Sequence, residues 1–190
     1  MIDSSLITFV ALILSVIFGA IYFARRGQTM SWLERIGLAG LAIYFPFVVG
    51  LTVGGIPIDE GAIAPSEWRS WANLVPFATI GTQLEAGLES GLRQLVGNLI
   101  ILAPLGFGLP VVWHRFRRLV PTLLAALSVA LSIELSQMLI SLAIGVPYRA
   151  FDVDDLILNT TGALIGWLVW RTTIGLSQRS SQSEDRSLVS

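Results

Sequence analysis

The sequence predicts an all-α membrane protein, a polytopic helical bundle of about five transmembrane helices. Three observations lead there. Apolar residues make up 54% of the 190-residue chain and charged residues only 13%, with a mean hydropathy of +0.74. A soluble domain carries about a quarter charged residues. Several runs reach the roughly 20 apolar residues that cross a bilayer at 1.5 Å rise per residue. The arginines gather in alternate connecting segments, as they do when those segments share the cytoplasmic side.

The first span is expected at 5–24 (SLITFVALILSVIFGAIYFA). Asp3 precedes it, no Arg occurs before Arg25, and no A-x-A cleavage site follows. These features favour a retained anchor over a signal peptide. The second span is expected at 33–53, introduced by Trp32. The segment 54–92 is too long for a simple turn and holds Trp68, Trp71 and Phe77 around NLVPF. It is expected to lie on the outer interface or dip into it, as an interfacial helix or re-entrant piece. The third span, 93–112, is interrupted by Pro104 and Pro110, and the fourth covers 119–140. The fifth, 152–170, ends at Trp167 and Trp170, which suit a headgroup belt. These spans form one domain over 1–175, followed by a Ser-rich polar tail, 176–190, expected to be disordered and cytoplasmic.

Charge bias orients the spans. Arg25, Arg26 and Arg35 follow the first run, Arg115, Arg117 and Arg118 follow the third, and Arg171, Arg179 and Arg186 follow the fifth. The intervening segments 54–92 and 141–151 carry only Arg69 and Arg149. Placing the Arg-rich set inside gives an N-out, C-in, multi-pass protein of the plasma membrane.

Several function classes are excluded or disfavoured. Net charge is −1 and there is no basic stripe, so nucleic acid is not an expected partner. The chain has no Cys, which excludes disulfides and thiol chemistry. The lone His114 rules out a His-cluster metal centre, and it falls on the predicted cytoplasmic side, away from any outer site. No cofactor or resident metal is indicated, and membrane lipids are the expected partners. The oligomeric state is left open.

The polar residues of 132–166 (SIELSQMLISLAIGVPYRAFDVDDLILNTTGALIG) stand out against this apolar background. A carboxylate at the centre of a membrane helix costs roughly 3 kcal/mol on insertion scales, so each such group needs a partner or a task. With the topology above, Glu134 and Asn159 fall about 9–10 Å below the outer surface, Asn98 about 7 Å, and Gln137 and Asp155 about 5 Å. Three helices thus bring polar groups into one layer. Glu134 and Gln137 are i, i+3 neighbours; Asp155, Asn159, Gly162 and Gly166 form one stripe. Gly162 and Gly166 make a small-xxx-small surface for close helix packing. Asp152, Asp154 and Asp155 also occupy a first helical turn, where the helix dipole favours acids and Asp152 can serve as N-cap.

The blocks NLVPF (73–77), GNLIILAPLG (97–106), SIELSQ (132–137) and YRAFDVDDLILNTTGALIG (148–166) resemble the VanZ-like family of bacterial membrane proteins. With the tryptophans that follow, the resemblance covers 73–170. It implies an envelope protein of a family named for a member linked to resistance to the glycopeptide teicoplanin, with no reaction assigned to the family as a whole. By position it carries a polar signature onto Asn73, Pro76, Asn98, Pro104, Gly106, Glu134, Gln137, Arg149, Asp152, Asp155, Asn159 and Gly162.

Three functions remain in play. The first is a non-enzymatic envelope protein whose outward polar pocket binds a lipid headgroup, an amphiphile or a lipid-linked wall precursor. Asn73, Asn98, Glu134, Gln137, Arg149, Asp152, Asp155 and Asn159 are its candidate ligand-binding residues, with Arg149 suited to a phosphate or carboxylate. The second is a membrane enzyme acting on a lipid-linked phosphate or sugar. Glu134 or Asp155 would then be the catalytic group, or Glu134, Asp152 and Asp155 would hold a divalent ion beside Arg149. The third is a transporter or channel component, which the absence of an internal repeat disfavours. Against all three stands the possibility that these groups only bond one another.

Overall fold

A computed structural model describes residues 4–53, 71–145 and 149–175. The architecture is an all-α bundle of six helices: α1 (Ser4–Arg26), α2 (Trp32–Val53), α3 (Ala78–Ala86), α4 (Leu88–Val112), α5 (Leu119–Ile144) and α6 (Val153–Trp170). Two two-residue strands, β1 (Ala72–Asn73) and β2 (Phe151–Asp152), pair in parallel, with Ala72 opposite Phe151 and Asn73 opposite Asp152. The expected tail at 176–190 and most of the long segment's first half, 54–70, lie outside the described residues.

Helices α1, α2, α4 and α5 are long and apolar enough to cross a membrane. The fifth expected span forms α6, which is shorter, at 18 residues, and carries Asp154 and Asp155 in its first turn. Its place in the bundle explains the difference. Asp154, Asn159, Gly162, Ala163, Gly166, Trp167 and Trp170 are all buried, so α6 is walled by other helices rather than by lipid. At the other extreme, α1 leaves Leu6, Phe9, Leu14, Val16 and Phe18 exposed, as befits a peripheral helix in hydrocarbon.

Helix α4 begins at Leu88, earlier than the span expected from hydropathy, and runs unbroken through Pro104 and Pro110. Prolines are tolerated inside membrane helices when other groups satisfy the carbonyls they free. Pro46, inside α2, shows the device. It has no N–H to offer the Ala42 carbonyl one turn earlier. The Ser15 hydroxyl of α1 donates to that carbonyl instead, at 2.8 Å, and ties α1 to α2.

Small residues let the central helices touch. Without a hydrophobic drive between helices in lipid, close van der Waals packing has to hold them. A Cβ placed on Gly162 would overlap the Leu99 carbonyl, one on Gly166 the Ala103 carbonyl, and one on Gly106 the Ala163 carbonyl. So α4 and α6 meet backbone to backbone, with glycines contributed by both. Leu102, Ala126, Ala130 and Ala163, all at 0% exposure, extend this seam to α5.

Candidate functional site

The short connections between α1 and α2 and between α4 and α5 put Arg25, Arg26, Arg115, Arg117 and Arg118 at one end of the bundle. The opposite end gathers the polar residues. There α2 and α5 finish, α4 and α6 begin, and β1 pairs with β2.

Two acids at this end are structural. Asp154 is fully buried, and its carboxylate accepts from the backbone N–H groups of Phe77 at 2.5 Å, Thr79 at 2.9 Å and Ile80 at 3.1 Å. The N-cap residue of α3 is Phe77, in a left-handed conformation (φ 67°) and with no capping side chain of its own. Asp154 therefore caps α3 from across the fold, satisfying donors that a helix start leaves open. Asp152 caps its own helix, accepting from the Asp154 N–H at 2.9 Å. It also accepts from Thr79 Oγ1 at 2.6 Å and from Asn73 Nδ2 at 3.1 Å.

Glu134, at 1% exposure, reaches from α5 to the strand before α6, where its Oε2 accepts from the Asp152 N–H at 3.0 Å. One turn beyond Gln137, Ser141 donates to the Arg149 carbonyl at 2.8 Å and accepts the Arg149 N–H at 3.0 Å. These bonds pin the chain between α5 and α6. Asn98 of α4 donates through Nδ2 to Asp155 of α6.

Around these groups lies a cavity of about 620 Å³. Helix α2 contributes Val48, Leu51 and Thr52; α4 contributes Gln94, Gly97, Asn98 and Ile101. Helix α5 adds Ile133, Glu134 and Gln137, and the α6 side adds Arg149, Ala150, Asp152, Asp155 and Asn159. One wall is thus hydrocarbon and the other polar. The positive charge of Arg149 acts on both Glu134 and Asp155, as does the negative charge of Asp152.

Asn98, Glu134, Gln137, Arg149, Asp152, Asp155 and Asn159 converge on this one cavity. Asn73 does not line it: it stands behind Asp152 and Thr79 and orders the turn after β1, accepting the Val75 N–H at 3.1 Å. Gly162 and Gly166 lie below the cavity, at the α4–α6 seam. Sequence reasoning passed over Gln94, although it precedes Asn98 by one turn and that spacing was a usable signal. Thr52 and Ser141 carried no signal, and the partners of Asp154 are too remote in sequence to be read from it. Among the described residues, no three or more acidic, imidazole or thiol groups converge as metal ligands.

Asn159 is the anomaly. It is 2% exposed, lines the cavity, and its Oδ1 has no hydrogen-bond partner. Buried polar atoms are nearly always paired, and leaving one unpaired costs about 1–3 kcal/mol.

A family model described as VanZ/LLP1 matches residues 41–175. No curated protein and no solved structure matches the chain.

Proposed function

The chain belongs to the VanZ/LLP1 family, and from that premise we propose that its polar cavity binds the headgroup of a lipid or amphiphile in the outer leaflet of the plasma membrane. The observation that carries this reading is Asn159 Oδ1, a buried acceptor facing a cavity and lacking a partner. A ligand donor would complete it. The half-apolar, half-polar lining supports an amphiphile over a fully polar solute, because small-molecule sites place a few polar groups against hydrophobic walls.

The lining also narrows the headgroup. Three carboxyl groups (Glu134, Asp152 and Asp155) stand against one guanidinium, Arg149. A head bearing hydrogen-bond donors, above all an amine, complements Asn159 and the acids. A phosphate or carboxylate on the same head complements Arg149 at the rim, where charge-assisted bonds are strongest. The orientation that puts this end outside follows from the arginine distribution.

Native mass spectrometry with lipid identification on the purified wild type and on Arg149→Ala tests this reading. A phosphate- or amine-bearing lipid is expected on the wild type and depleted in the variant. Identical lipid profiles would refute it. The family link to teicoplanin resistance enters through the same cavity: if it acts on wall-precursor access, Arg149→Ala should abolish any change in teicoplanin susceptibility that the wild-type chain confers on a bacterial host. Retained susceptibility change in that variant would separate the cavity from resistance.

A further inference from the structure

We propose that the hydrocarbon chain of this amphiphile lies in the apolar groove walled by α1, α2 and α4. The proposal rests on the headgroup reading above and assigns a second site to the same ligand.

The groove holds about 490 Å³ and is lined by Leu14 and Phe18 of α1, by Leu38, Leu41 and Phe45 of α2, and by Leu105 and Leu109 of α4, among others. It continues the cavity along two helices. On α4, Asn98 and Ile101 line the cavity, and Leu105 and Leu109, one and two turns beyond Ile101, line the groove. On α2, Thr52 and Val48 line the cavity, and Phe45, Leu41 and Leu38 follow on the same face into the groove. Steps of three and four residues keep each set on one helical face. From Asn98 to Leu109 the rise is about 16 Å, close to the depth of one leaflet's hydrocarbon, which is about half of a ~30 Å core. A head held by the cavity would therefore hang its chain along this groove to about mid-membrane.

The groove is also dry in its chemistry. Ser15 and Tyr44 both line it, and both hydroxyls bond backbone carbonyls. Ser15 covers the Ala42 carbonyl that Pro46 leaves open, and Tyr44 donates to Ile101 at the junction with the cavity. An uncovered carbonyl there would be costly beside hydrocarbon. A second apolar groove, of about 670 Å³, lies on the other side of the α2–α4 contact and includes Ile100, Ala103 and Phe107. Those residues share no face with Asn98, so that groove does not continue the cavity and serves as the control.

The test uses monoacyl phosphatidylethanolamines, whose phosphate suits Arg149 and whose amine suits Asn159 and the acids, with hexanoyl and palmitoyl chains. Binding to the full chain in detergent is measured by native mass spectrometry. The wild type should bind both and the palmitoyl form about tenfold more tightly, because its chain buries more apolar surface in the groove. Leu14→Trp and Ala42→Trp should lower palmitoyl binding to the hexanoyl level and leave hexanoyl binding unchanged. Leu14 sits on the exposed rim, so that variant should fold even if Ala42→Trp does not. Ile100→Trp should change neither.

Chain-length indifference in the wild type would overturn the groove assignment and leave the headgroup site standing. So would palmitoyl binding that survives both groove variants, or that falls equally with Ile100→Trp and so marks annular lipid. Failure of the wild type to bind either probe would remove the headgroup reading and this proposal together.

Discussion

Asp154 and Asn159 stand five residues apart on α6, both buried and both polar, yet their hydrogen bonding is opposite. Asp154 accepts from three backbone N–H groups at the start of α3. Asn159 Oδ1 accepts from none. Removing the Asp154 carboxylate orphans three donors, at about 1–3 kcal/mol for each that stays buried. Asp154→Ala is therefore expected to lower stability by about 3 kcal/mol or more, read as a lost or strongly lowered thermal transition in detergent, with Asp154→Asn losing less. Asn159→Leu should match or exceed wild-type stability without ligand, since it removes an unpaired buried group of similar size. If Asn159→Leu falls as far as Asp154→Ala, then Asn159 is structural. The N-cap at Asp152 could be read in the sequence because its partner, the Asp154 N–H, is two residues away. The role of Asp154 could not, because its partners lie 74 to 77 residues off and Phe77 shows no capping signature.

At the scale of elements, hydropathy located α1, α2 and α5 closely, because lipid-facing helices announce themselves by length and apolarity alone. It did less well where other forces act. Helix α4 gains its early start at Leu88 from a polar first turn in which Arg93 and Glu89 pair at 3.3 Å. The strands β1 and β2 are two residues each and 79 positions apart in register, so no local pattern marks them. The glycines divide by what a side chain would meet. Gly106→Ala and Gly162→Ala drive a Cβ into facing backbone that cannot rotate away, and each is expected to cost about 3 kcal/mol or more in detergent unfolding. Gly40→Ala meets nothing within 4 Å and should be neutral or stabilising by up to about 1 kcal/mol. Equal losses at Gly40 and Gly162 would mean that the α4–α6 contact is looser than the structure has it.

For the molecule as a whole, one end carries the arginines and the other the cavity, and the orientation follows from the charge bias. The chain has no cysteine, so an introduced one reports alone. A cysteine at Ser5 should react with a membrane-impermeant maleimide on intact cells, and one at His114, which is exposed, only after permeabilisation. The reverse pattern would turn the cavity toward the cytoplasm and remove the outer-leaflet ligand. Much of the site was legible in the sequence because helical phase and depth are local quantities: Asn98, Glu134, Gln137, Asp155 and Asn159 needed only spacing and topology to be placed in one layer. The apolar wall from α2 was not legible, since Val48, Leu51 and Thr52 look like any other membrane residues until the helices are assembled.

The most direct measurement is an experimental structure of the wild-type chain in lipid nanodiscs at a resolution that shows side chains. The account predicts lipid density in the cavity, with a headgroup donor within hydrogen-bond distance of Asn159 Oδ1 and its chain running toward Leu109. A cavity closed by the protein's own side chains, with Asn159 paired inside the fold, would contradict it.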